Sequence, residues 1–162
     1  DTALVDQGNI LSITETVDAL KQVCDALHHV HRYGEAYKNL TTESILYTDQ
    51  GEVKLRGILD QFEEANPWYN APEEFDGVYT ERSTVYRIGV ITYELLTEAL
   101  PYAEYPGGDP EAAVRDAKLS SLDEQLRDLP SDVAAILKKA LTHSPEDRYE
   151  TVLHMRDAFE QI

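Results

Sequence analysis

Cysteine is nearly absent from this chain: Cys24 is the only one in 162 residues, alongside a single methionine and a single tryptophan. One thiol cannot close an internal disulfide, so a reducing compartment is expected. Long hydrophobic runs are missing too. Residues 88–91 and 133–137 are apolar but are broken well before the ~18–20 residues that cross a bilayer, so no membrane span is expected. Neither a basic start nor an apolar stretch follows Asp1, which argues against a secretion signal and for a cytoplasmic location. Repeats, low-complexity tracts and Pro/Gly/Ser-rich linkers are also missing, and residues 1–162 read as one domain.

Positive charge is scarce. Lys and Arg number 14, only six of them Lys, against 31 Asp and Glu, for a formal net charge of −17. Nucleic acid is excluded as a direct ligand, because neutralising phosphates requires a basic surface. The acids are spread over every segment. That is the pattern of a surface adapted to concentrated salt, where screening relieves self-repulsion, and a halophilic source is expected. The competing reading, an acidic face for a basic partner, is less favoured because the acids do not cluster.

Apolar residues at Val17, Leu20, Val23, Cys24, Leu27 and Val30 recur at helical spacing, predicting a helix over residues 13–31 that Gly34 closes. Residues 44–47 and 53–56 are short β-type runs around the turn signal Asp49-Gln50-Gly51-Glu52, which predicts a hairpin. Residues 57–70 lack periodicity and read as a loop. Residues 83–97 are apolar on nearly all sides, the signature of a central helix. A loop over residues 101–108 leads to an acid-started helix over 110–119, and further helices are expected over 131–141 and 151–159, with Ser131 and Ser144 as caps. The fold class is mainly α, a helical bundle with one small β-hairpin.

Several strings, in order, resemble the larger, C-terminal lobe of a eukaryotic-type protein kinase. Leu27, His28 and Gly34 resemble the end of that family's long helix. Tyr37-Lys38-Asn39-Leu40-Thr41-Thr42-Glu43-Ser44-Ile45-Leu46 stands where the family has His-Arg-Asp-Leu-Lys-Pro-Glu-Asn-Ile-Leu, and Gly57-Ile58-Leu59 where it has Asp-Phe-Gly. Ala71-Pro72-Glu73 matches Ala-Pro-Glu, and residues 88–96 match the central helix. Ser144-Pro145-Glu146-Asp147-Arg148 resembles the late motif whose Arg pairs with the Ala-Pro-Glu glutamate.

The resemblance implies a retained scaffold and a degenerate site, a pseudokinase-like module. Glu73 and Arg148 are implied as a structural ion pair. Asn39 replaces the proton-accepting Asp, Thr41 the Lys that balances phosphoryl charge, and Ser44 and Gly57 the two magnesium ligands. No catalytic residue is therefore assigned, no metal site is expected and Mg-ATP is not expected to bind. Thr84 replaces the buried Asp that holds the catalytic-loop backbone in kinases, leaving that loop free to relax. The segment from Gly57 to Glu73 is short for a regulatory loop, and no phosphate-cradling N-terminal lobe precedes residue 10. Asp60 reads as a surface acid rather than a displaced ligand, His28, His29 and His31 as packing or exposed residues rather than a metal set, and Cys24 as core.

What the resemblance leaves for function is protein binding, regulatory or scaffolding. Trp68, Tyr69, Phe75, Tyr79, Tyr102 and Tyr105 fall in loops near the peptide-binding region of kinases and are candidate anchors for a partner, with local packing as the competing account. The helix near residues 112–119 is the family's frequent docking surface. Self-association is a further possibility. The alternative is an atypical serine/threonine kinase fragment whose ATP-binding elements lie in an N-terminal lobe outside this chain.

Overall fold

The computed structural model describes residues 2–3, 11–32, 37–56, 66–117 and 119–162. The Gly34 helix end, the Gly57 metal-ligand position and Asp60 lie outside the described residues. The architecture is mainly helical, with a small antiparallel sheet.

Helix α1 (Ile13–Arg32) starts at a reciprocal cap: the Ser12 N–H donates to the Glu15 carboxylate at 2.8 Å and the Glu15 N–H to the Ser12 hydroxyl at 3.2 Å. Its face Val17, Leu20, Val23, Cys24 and Leu27 is buried. Cys24 lies in this core, where burial pushes its thiol far up and leaves it inert.

Strands β2 (Ile45–Tyr47) and β3 (Val53–Leu55) form the hairpin, with Ile45 opposite Leu55 and Tyr47 opposite Val53. The turn closes with the Gly51 N–H on the Thr48 carbonyl at 3.0 Å, and Gly51 takes the φ of +79° that glycine allows. A third strand, β1 (Thr2–Ala3), which the sequence reading lacks, pairs with β2 through Thr2 and Tyr47. Gln22 of α1 reaches the hairpin with both ends of its amide: Nε2 donates to the Gly51 carbonyl and Oε1 accepts from the Val53 N–H, each at 2.9 Å.

Helix α2 (Glu81–Thr97) runs through the centre, and every residue from Ser83 to Tyr93 is buried. Helix α5 (Ser131–Ala140) crosses it at Gly89, where an added Cβ would meet the Ala140 Cβ and the Leu141 Cδ2 at 3.1 Å, so glycine is what permits the close approach. Helix α6 (Val152–Glu160) lies along α1, with Lys21–Glu160 at 3.3 Å and Arg156–Asp25 at 3.1 Å between them.

Two local expectations are corrected. The helix expected over 110–119 is shorter, α3 (Pro110–Arg115), and a further helix that the sequence reading lacks, α4 (Leu119–Gln125), comes after it. Neither Ser131 nor Ser144 caps a long helix: Pro130 stands at the start of α5 with no side-chain cap, and the Thr151 hydroxyl caps α6 by accepting the His154 N–H at 3.1 Å. The Ser144 hydroxyl donates instead to Glu146 at 2.7 Å.

Candidate functional site

Between α1 and the hairpin, residues 37–44 form the loop that carries Asn39, Thr41 and Ser44. A short 3₁₀ turn, Thr42–Ser44, bends it, and Ser44 satisfies it from within. The Ser44 hydroxyl accepts the Thr41 N–H at 3.1 Å and donates to the Asn39 carbonyl at 3.4 Å. Asn39 and Thr41 are half-buried.

The loop is not relaxed, although the central helix carries Thr84 in place of an acid. The Tyr79 hydroxyl donates to the Tyr37 carbonyl at 2.9 Å and lies hydrogen-bonded to the Thr84 hydroxyl. Arg87, one turn further along α2, donates to the Leu40 carbonyl at 3.2 Å. Two side chains on either side of Thr84 in sequence thus clamp the loop backbone that was expected to have lost its anchor. Burial pushes the Tyr79 phenol up to about 12, so it stays protonated and able to donate throughout the physiological range. Tyr79→Phe is expected to cost about 1–2 kcal/mol, since the Tyr37 carbonyl loses its donor. Hydrogen exchange should show faster opening over residues 37–44 than in α1, and uniform loss of protection would contradict a local clamp.

Arg87 was not anticipated as a site residue, and it is the centre of the network. Its side chain is 2% exposed and pairs with Glu74 through Nη2 at 2.9 Å and Nε at 3.0 Å, while Nη2 also donates to the Asn70 amide oxygen at 2.6 Å. One guanidinium therefore joins α2, the 37–44 loop, Asn70 and the 3₁₀ turn Pro72–Asp76. Burial raises the Glu74 carboxyl above its usual range, outweighing the attraction of Arg87. The signal was present in the sequence: a lone Arg inside a helix apolar on all sides must be paired.

Glu73 and Arg148 meet in a bidentate pair, Nη1 to Oε1 at 2.7 Å and Nη2 to Oε2 at 3.0 Å. The Arg148 side chain is fully buried and also donates to the carbonyls of Thr142, His143 and Arg82. Burial alone would raise the Glu73 carboxyl, but Arg148, backbone donors and the Ser83 hydroxyl hold it below its usual value.

The aromatic candidates do not gather into one exposed patch. Tyr69 is 4% exposed and points inward, its hydroxyl donating to Glu94 at 2.5 Å and lying 3.2 Å from the Thr42 hydroxyl. Tyr79 is turned inward as described. For these two the geometry agrees with the local-packing account, because their phenols satisfy buried partners that no external ligand can share. Burial raises the Glu94 carboxyl and pushes the Tyr102 phenol up to about 12. Phe75 and Tyr102 are partly buried against the core, Trp68 is half-exposed in the turn Pro67–Tyr69, and the Tyr105 hydroxyl donates to Asp116. Among the described residues the exposed large apolar side chains are Ile13, Val78 and Ile162, which are scattered. Among those residues, too, no group of three or more His, Cys, Asp or Glu is placed to hold a metal ion, and no helix is long and apolar enough to cross a membrane.

The family described as protein kinase domain matches residues 2–159. Among curated proteins, the chain is 29% identical over 163 residues to the serine/threonine-protein kinase PknL of Mycobacterium tuberculosis, covering 90% of this chain and 40% of that protein. It is 24% identical over 185 residues to the serine/threonine-protein kinase PknD of Chlamydia trachomatis, covering 92% of this chain and 20% of that protein. A probable serine/threonine-protein kinase of Clostridium perfringens is 25% identical over 157 residues, with 87% of this chain and 22% of that protein covered. The chain thus spans between about a fifth and two fifths of the length of these relatives.

Proposed function

Because the chain belongs to the protein kinase domain family, we propose that it is a catalytically degenerate form of that domain's larger lobe, acting by binding another protein rather than by transferring phosphate. The observation that carries this reading is the use made of the loop over residues 37–44. Ser44, at the position of a magnesium ligand, spends its hydroxyl on the Thr41 N–H and the Asn39 carbonyl. Asn39, Thr41 and Ser44 together supply an amide and two neutral hydroxyls. Kinase magnesium is held by a carboxylate together with an amide oxygen and phosphate oxygens, and these three side chains include no carboxylate to anchor it. An amide at position 39 cannot take the proton of a substrate hydroxyl, and Thr41 brings no charge to a transferring phosphoryl group. The same loop is nevertheless clamped by Tyr79 and Arg87, which preserves a shape without its chemistry.

A second reading is favoured by the relatives, which are named serine/threonine kinases: the segment would be the larger lobe of an atypical active kinase, with nucleotide-binding elements elsewhere in its protein. A phosphotransfer assay on the full-length protein, with Mg-ATP in low and high salt, separates the two. No transfer above background is expected, and no Mg-ATP-dependent rise in thermal midpoint, because a ligand that does not bind adds no stability. Robust transfer abolished by Asn39→Ala would overturn the proposal in favour of the second reading.

A further inference from the structure

The turn Pro72–Asp76, α2, α3 and the segment joining α5 to α6 enclose a cavity of about 330 Å³, at the small end of the ~300–1,000 Å³ range of ligand pockets. Its walls include Pro72, Val114 and Leu141 together with the rings of Tyr86 and Tyr102, and Asp147 is its one carboxylate. Among the described residues no lysine or arginine lines it, and its one imidazole is that of His143. Asp147 is exposed and makes no ion pair among the described residues, whereas the adjacent Arg148 is already spent on Glu73. The Tyr86 ring already carries the Arg148 guanidinium at 4.9 Å from its centroid and is buried, so the accessible aromatic face of the cavity is that of Tyr102.

Apolar walls, the Tyr102 ring and one acid with no ion pair among the described residues are complementary to an aliphatic stem that ends in a positive charge. That is the chemistry of lysine and arginine, and a chain with net charge −17 draws basic surfaces toward it. We infer that this cavity receives a lysine or arginine side chain presented by a protein partner, with the stem against Tyr102 and the apolar wall and the cationic head at Asp147. The inference deepens the reading of the chain as a protein-binding module and rests on it only for the source of the cation. Phosphate transfer by the full-length protein would end that reading and leave the cavity measurement intact.

The test is a backbone-amide NMR titration of the chain with capped lysine, capped arginine, capped norleucine, Nε-acetyl-lysine and choline as probes. Capped lysine and arginine are expected to shift resonances around Tyr86, Tyr102, Val114 and residues 141–147, with norleucine and Nε-acetyl-lysine at least tenfold weaker. Asp147→Asn should weaken lysine binding about tenfold, as loss of a charge-assisted contact does, with the thermal midpoint unchanged. Tyr102→Leu, which keeps an apolar wall but removes the π face, should weaken it as well. Three results would overturn the inference: norleucine binding as well as lysine, lysine shifts spread over the whole acidic surface and unaffected by Asp147→Asn, or choline binding more tightly than either amino acid, which would assign the cavity to a free organic cation.

Discussion

Glu73→Ala should lower the unfolding free energy by about 3–5 kcal/mol, the cost of leaving a buried charge without its partner. The size follows from the geometry. Arg148 is fully buried, and although three carbonyls still accept from it in the variant, none of them carries the opposite charge. Against a typical stability of about 5–15 kcal/mol, the loss is large enough to leave a substantial fraction unfolded at physiological temperature. Urea denaturation at pH 7 measures it directly. The pH dependence gives a second check. Arg148 and the other donors to Glu73 hold its carboxyl below the usual 4.5 against the opposing effect of burial. The stabilisation from this group is therefore present above that usual value and lost as pH falls through the folded-state value. The deficit of the variant relative to the parent should accordingly shrink in acid, and a deficit independent of pH would contradict an electrostatic origin.

Arg87→Met is expected to cost a comparable 3–5 kcal/mol, for a different reason. Here the group left behind is the acid. Burial already raises the Glu74 carboxyl despite Arg87, and without the guanidinium it would take up a proton or open the turn that carries it. The sign is opposite to that of Glu73: a raised carboxyl contributes stability that is complete below its usual 4.5 and fades as pH rises through the folded-state value. Arg87→Met should therefore be most damaging at neutral pH and partly repaired in acid. Adding Glu74→Gln to Arg87→Met should recover stability, since a neutral amide is less costly to bury than an unpaired carboxylate. A double-mutant cycle in which the two losses simply add would show that the residues do not act as a pair.

The helices and the hairpin were legible because burial imposes a period. Val17, Leu20, Val23, Cys24 and Leu27 repeat at the helical spacing, and α1 buries that face. The central helix was legible for the complementary reason, an apolar character with no polar side. Where no period exists, sequence pattern was silent. Strand β1 depends on pairing with Leu46 and Tyr47, more than forty residues away in sequence. The aromatic residues of the 66–79 segment carry no pattern to distinguish a phenol turned outward from one turned to Glu94 or Tyr37, so sequence alone leaves Tyr69 and Tyr79 open between partner anchors and local packing. Nothing local links Glu73 to Arg148, 75 residues further on, and only the resemblance joins them. The clamp on the 37–44 loop escaped for another reason: the place of one acid is filled by two residues at different positions, Tyr79 and Arg87, and a position-by-position comparison sees only the loss at Thr84.

The Gln22 amide ties α1 to the hairpin in the manner of an extra strand, accepting from one backbone group and donating to another. Strands of three residues have little capacity to persist alone in water. The turn at Gly51 therefore inherits its permanence from a helix assembled some thirty residues earlier, and the two should melt as one cooperative unit. Deuterium uptake at the Val53 amide would then serve as a gauge of how often α1 lets go.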